Sequence, residues 1–150
     1  MRKFATLFTM LIVAVAATAA TALFINDDRP IKYDELPAEA QSFVKKNFAK
    51  EKVSYVTADT EHSHTEYKVV FVSGTKIEFD DAGNWTEVDC RYSAVPQNLV
   101  PEAIADYVQS NYSRSKIVEL KREHNTWEAK LTGGLELTFD GNMRLIDIDD

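Results

Sequence analysis

Leu36–Val53 reads LPAEAQSFVKKNFAKEKV, and 64 positions later Val100–Ile117 reads VPEAIADYVQSNYSRSKI. Leu36 and Val100, Pro37 and Pro101, Phe43 and Tyr107, Val44 and Val108, Asn47 and Asn111, Phe48 and Tyr112, Lys52 and Lys116, and Val53 and Ile117 agree in kind or identity. The agreement resumes downstream. Tyr67–Phe71 lines up with Trp127–Leu131, and GTKIEFD at Gly74–Asp80 lines up with GLELTFD at Gly134–Asp140. Self-similarity over such a length is the mark of one supersecondary unit used twice.

Each copy opens on a helix. Proline at the first helical position gives up an N–H that needs no partner there, and Pro37 and Pro101 stand at those places. Glu39 and Glu102 follow in the first turn, where a carboxylate is favourable against the helix dipole. Ala40, Phe43, Val44 and Phe48, and then Ile104, Tyr107, Val108 and Tyr112, share one face at helical spacing. The spacing predicts two short amphipathic helices of about thirteen residues.

A strand meander follows each helix. In the first copy the strands are expected at Val53–Asp59, Tyr67–Val72, Thr75–Asp80 and Trp85–Cys90. In the second they are expected at Lys116–Arg122, Trp127–Thr132, Leu135–Asp140 and Met143–Asp149. Glu61–Glu66, Ser73-Gly74, Asp80–Asn84, Thr132–Gly134 and Asp140–Asn142 supply the turns. Asn26–Asp34 reads as a leader, and Arg91–Asn98, with Pro96, as the linker. The fold class is therefore α+β: two tandem α-β-β-β-β repeats, spanning about 31–90 and about 96–150, that form one antiparallel sheet with both helices on one face.

Period two divides the strand residues between the sheet's two faces. Tyr67, Val69, Phe71, Ile77 and Phe79 fall under the helices, as do Trp127, Ala129, Leu131, Leu135, Leu137 and Phe139. Lys68, Val70, Val72, Lys76 and Glu78 fall on the open face, with Glu128, Lys130, Glu136 and Thr138. In the last strands Val88 and Ile146 are assigned inward, which places Trp85, Glu87 and Asp89, and Met143 and Leu145, on the open face. Exposed tryptophan beside charge suits an interface. Trp85, Val70, Glu87 and Met143 are the expected partner contacts.

Ahead of the repeats, Arg2 and Lys3 precede an apolar run at Leu7–Ala17 and then small residues with A-x-A possibilities at Ala17–Ala19 and Ala20–Ala22. That order describes a secretory signal peptide over residues 1–22, leaving a domain over 23–150. Its removal takes the formal charge from −7 to about −9. An acidic domain without a basic run is a poor match for nucleic acid or anionic lipid, and no stable membrane insertion is expected once the signal is cleaved. The expected location is periplasmic or secreted. Cys90 is the one cysteine, so no internal disulfide is available. Its parity with Val88 marks it as a small buried hydrophobe.

These residues resemble the PepSY-like family of secreted bacterial proteins, whose fold is akin to the β-lactamase-inhibitor protein. The points of likeness are L-P-A-E-A…F-V-K-K-N-F…K-V and the F-D-x-x-G-N-W turn at Phe79–Trp85. The second copy offers V-P-E-A-I…Y-V-Q-S-N-Y…K-I and a shortened F-D-G-N-M. The resemblance implies a binding module with a proposed inhibitory role toward peptidases, acting through a concave sheet face. Inhibition of a β-lactamase is a fold-level analogy only.

Little else looks chemical. Glu61-His62-Ser63-His64-Thr65-Glu66 places two imidazoles in an H-x-H pair; if that segment is extended, both lie on one face, and His62 and His64 become candidate zinc ligands. A solvent-facing hairpin turn explains the same residues. The Asp80–Asn84 and Asp140–Asn142 turns lack the alternating ligands of a calcium loop, and Asp, Asn and Gly account for them as turns. No nucleophile elbow or other catalytic signature is present. The expected function is an exported non-enzymatic binding module without a cofactor, an inhibitor or modulator of an exported peptidase or other hydrolase. Its partner would be a protein or peptide of the cell envelope. The alternatives are an envelope sensor of a metal or small ligand, or a self-associating structural protein.

Overall fold

A computed structural model describes residues 28–150. The signal peptide expected at 1–22 lies outside them. In chain order the elements are β1 (Arg29–Ile31), α1 (Ala38–Asn47), β2 (Val53–Glu61), β3 (His64–Phe71), β4 (Lys76–Phe79) and β5 (Trp85–Asp89). The second copy supplies α2 (Glu102–Asn111), β6 (Ile117–Glu123), β7 (Thr126–Leu131), β8 (Glu136–Asp140) and β9 (Leu145–Asp149). The strands form one sheet in sequence order from β1 to β9, every pair antiparallel.

The register builds the core as a line. Ile31, Val56, Val69, Ile77, Val88, Leu120, Ala129, Leu137 and Ile148 stand opposite one another in turn, one from each strand. Val69, Ile77, Val88, Leu120, Ala129 and Leu137 are fully buried. Ala40 and Val44 of α1 and Ile104 and Val108 of α2 belong to the same buried cluster, so the helices cover this side. The two helices seat alike. The Phe43 ring meets Phe79 edge-on at 5.7 Å and 82°, and Tyr107 meets Phe139 at 5.6 Å and 82°. Asn47 and Asn111 each donate from Nδ2 to the carbonyl four residues back, of Phe43 and Tyr107, at 3.0 and 2.9 Å.

Three local readings are corrected. The helices run ten residues rather than about thirteen; each proline sits just outside as the cap, and the chain leaves the helical region at Phe48 and Tyr112. Asn26–Asp34 contains β1, in which Ile31 extends the buried row over Val56. Its partner lies far along the chain, and three residues around Pro30 carry no local strand signal. The second turn is not shortened either. Asp80 Oδ1 accepts from the backbone N–H of Ala82 and Asn84, and Asp140 Oδ1 accepts from Asn142 and Arg144. The turns are equal in length, with Met143 at φ 61° where the first copy has Gly83 at φ 86°.

Candidate binding face

The side of the sheet away from the helices carries two long rows of mostly polar side chains. One runs Thr57, Lys68, Glu78, Glu87, Lys121, Glu128, Thr138, Asp147 from β2 to β9. The next runs Tyr55, Val70, Lys76, Asp89, Glu119, Lys130, Glu136, Asp149. An antiparallel sheet with helices on one side leaves its other side to solvent or a partner. Here that side is acidic: Lys68, Lys76, Lys121 and Lys130 are outnumbered by the carboxylates around them.

Ion pairs fix the first half of the face. Lys76 Nζ lies 2.7 Å from Glu87 and 3.2 Å from Glu78, and Lys68 reaches Asp28 at 3.5 Å. Burial works against the charge on Lys76, yet the hydrogen bonds and charges of Glu87 and Glu78 more than offset it and hold its pKa above the ordinary lysine value. In the second half, burial pushes the Glu119 carboxyl up, and repulsion from Glu87 adds to it.

Beside these pairs is an open depression of about 380 Å³, lined by Asp59, Glu61, Glu66, Glu78, Asp81 and Glu123, with His64, Thr86 and Lys121 among them. Burial of its carboxyl and a hydrogen bond with Glu78 push Glu66 up to about 7. The residue itself is exposed by surface area, so water weakens the energetic effect without changing its sign. One Asp59 carboxylate oxygen is buried without a hydrogen-bond partner.

Of the expected contact residues, Val70 and Glu87 are on this face. Glu87 is largely covered by its neighbours, its side chain 13% exposed. Trp85 is not on the face. It stands opposite Phe79, 9% exposed, its ring 6.0 Å from Phe43 and 5.9 Å from Trp127. The Arg122 guanidinium lies 4.3 Å from the ring centroid, and Arg122 Nε donates to the Trp85 carbonyl at 2.7 Å. Met143 also leaves the face: it sits in the β8–β9 turn, packed against the core.

One cause explains both the Trp85 error and its counterpart in the second copy. The register slips by a residue between Glu78 and Phe79, and again between Thr138 and Phe139. A bulge of this kind reverses the parity of everything beyond it. Trp85 and Leu145 therefore turn inward, while Ile146, expected inside, is 58% exposed. The signal was available, since large apolar residues at 85 and 88, and at 145 and 148, are spaced by three in strands whose period is two.

The histidines do not share an extended segment. β2 runs to Glu61 and β3 begins at His64, which leaves His62 and Ser63 as the turn, His62 at φ 58°. His64, exposed, approaches Asp81 at 3.8 Å. Among the described residues, no group of three or more His, Cys, Asp or Glu side chains is placed to hold a metal ion. Cys90 is buried; burial first, then the charges of Asp89 and Glu51, push its thiol up to about 11, which leaves little thiolate at neutral pH.

Residues 65–147, more than half of the chain, match the model of a family described as "Putative beta-lactamase-inhibitor-like, PepSY-like". The chain belongs to the PepSY-like family. A Bacteroides vulgatus structure described as a "putative periplasmic protein from DUF2874 family" is 43% identical, with a TM-score of 0.80, over 84% of this chain and 99% of that one. A Bacteroides thetaiotaomicron structure described as a "putative calcium-regulated periplasmic protein" is 40% identical, with a TM-score of 0.80, over 83% and 98%. A second Bacteroides vulgatus protein, of unknown function, is 31% identical with a TM-score of 0.78, over 82% and 99%. No curated protein matches the chain. These structures are described as periplasmic proteins, in agreement with the location read from the sequence, and no described helix is long and apolar enough to cross a membrane.

Proposed function

We propose that the protein is a non-enzymatic binding module of the cell envelope whose open sheet face grips a protein or peptide partner, and that it inhibits or modulates an exported hydrolase in doing so. The observation that carries this reading is the open face itself: two rows of side chains running across the sheet, acidic in balance, with a depression at one end. Such a field selects a partner with a cationic surface and speeds its approach. Tyr55, 53% exposed, and Val70 supply apolar contact on the same face. Membership of an inhibitor-like family supports the choice of partner class.

The test pairs the exported protein with a Val70→Glu/Glu66→Lys variant of unchanged circular dichroism, each used to capture partners from envelope extract of its own cell. A hydrolase enriched only by the native protein, bound more weakly as salt is raised and slowed in its own activity assay, is the expected result. Equal capture by both proteins, or binding indifferent to salt, would move the interface off this face. Capture without any change in hydrolase activity would remove inhibition and leave binding.

A further inference from the structure

The sheet has two edges, and the repeat shows that they are not alike. At the first, β1 closes β2: Ile31 covers Val56, and Pro30 has no N–H to offer a further strand. At the other, among the described residues, nothing pairs with the outer side of β9. β9 is to the second copy what β5 is to the first. Leu145 stands opposite Phe139 as Trp85 stands opposite Phe79, and Ile148 opposite Leu137 as Val88 opposite Ile77.

The outer side of β5, however, is filled. β6 lies along it with Leu120 opposite Val88, Lys121 opposite Glu87 and Glu119 opposite Asp89. Under that strand Val88 is fully buried, whereas Ile148 in the matching place is 47% exposed and Ile146 58%. Along Glu119, Leu120 and Lys121 that neighbour, β6, reads acid–apolar–cation. It is therefore a template for the apolar place and for the cation opposite Glu87, while opposite Asp89 it sets a like charge that a better-matched segment would replace. The matching acids on β9 are Asp147 and Asp149.

We propose that the outer edge of β9 is a docking strand for an extended segment of another polypeptide that reads cationic–apolar–cationic. The segment adds antiparallel to β9, with its apolar residue opposite Ile148 and a Lys or Arg opposite each of Asp147 and Asp149. Backbone hydrogen bonds along the edge provide affinity and the alternating side chains provide selection. Opposite charges directly across a strand pair stabilise it, and like charges destabilise it. A second copy of this chain is for that reason the wrong occupant, because its own β9 would bring the same aspartates toward these; charge on an exposed edge is a common guard against such pairing. Asp147 and Asp149 also end the two rows of the open face, but the backbone edge of β9 is a separate contact, and the open-face test substitutes Val70 and Glu66 of β3, so the two readings fail separately.

The probe is a capped synthetic peptide carrying the β6 sequence IVELKRE with lysine at the Glu119 place, titrated into the ¹⁵N-labelled exported protein. Amide shifts that saturate and centre on Leu145–Asp149 are expected, with affinity falling at least tenfold in Asp147→Lys/Asp149→Lys. The edge is exposed, so the variant should keep native circular dichroism. A control on the native protein, the same peptide with glutamate at every basic place, should leave the shifts unmoved. Shifts that map elsewhere, no shifts up to the solubility limit of the peptide, or equal affinity for the acidic peptide would each overturn the proposal. Concentration-dependent dimerisation lost in the double variant would overturn it in favour of a second copy.

Discussion

Trp85→Ala separates a core tryptophan from an interface tryptophan by the size of its effect on stability. The ring is 9% exposed and touches Phe43 of α1, Trp127 of β7 and the Arg122 guanidinium. Truncation of a buried aromatic to alanine costs about 3–5 kcal/mol, of which part is the cavity left behind. Trp85 lies near the rim of the core, where water can enter that cavity, so the lower end applies, about 3 kcal/mol. Loss of the stacked guanidinium adds roughly 0.5–1 kcal/mol. For a domain of this size the melting temperature should fall by about 10–20 °C. Urea unfolding followed by far-ultraviolet circular dichroism is the suitable assay, because the substitution itself removes a fluorophore, and the m-value should stay unchanged. Trp85→Leu should recover roughly half of the loss, since the second copy places Leu145 opposite Phe139 at the same point. A loss below about 1 kcal/mol for the alanine variant, the size expected of a surface site, would refute the packing described here and return Trp85 to the open face.

Two further predictions rest on local geometry. Gly83 has φ +86°, and a Cβ there would lie 2.8 Å from Pro37 Cβ and 3.0 Å from the Ala40 backbone nitrogen, at the start of α1. Gly83→Ala should therefore cost about 2–3 kcal/mol, strain plus displacement of the helix. Gly133→Ala, at φ +100° with nothing within 4 Å, should show only the strain of about 1 kcal/mol; equal losses in parallel denaturant titrations would contradict the α1 contact. For Glu66, burial and Glu78 raise the folded pKa from an ordinary carboxylate value to about 7. The native state then holds a proton that the unfolded chain releases, so stability from this group is complete below about pH 4.5 and is lost as pH rises to about 7. Glu66→Gln should be more stable than the native protein at pH 8, with the difference vanishing near pH 4.5; melting curves that track each other across that range would show that the carboxyl is not perturbed.

The parts of this fold that were legible in the sequence are those whose causes are local or periodic. Helix faces, turn glycines and the alternation in β3, β4, β7 and β8 follow from spacing alone, and they carried the sheet and the side on which the helices lie. What was missed depends on partners distant in the chain. β1 is a strand only because β2 lies beside it, and the slip between β4 and β5 exists only in the pairing. The turn read at Glu61–Glu66 is present but narrows to His62 and Ser63, because the pairing of Glu61 with His64 carries both strands further than local residue types announce. The same distinction applies to the candidate site. Parity placed Val70 and Glu87 on the open face, yet it could not show that Lys76 and its carboxylates would cover Glu87, nor that Trp85 would turn away.

The two copies also show where selection for a partner could act. On the helix side, matched positions keep their character: Val69 and Ala129, Ile77 and Leu137, Phe79 and Phe139, and the helix rings repeat their geometry to within 0.1 Å between centroids. On the open face several matched positions change chemistry, although the acids Glu87 and Asp89 recur as Asp147 and Asp149. Tyr55 answers to Glu119, Val70 to Lys130, Lys68 to Glu128 and Lys76 to Glu136. Packing keeps the first set apolar, because a polar group there would be buried without a partner. Nothing in the fold constrains the second set in that way, and a sheet built only for stability could have repeated either version twice. A face whose halves differ cannot present the same patch to two equivalent sites. Under the binding role proposed above, it suits a single asymmetric partner lying across both copies, with an apolar contact over Tyr55 and Val70 and a cationic one toward Glu128 and Glu136.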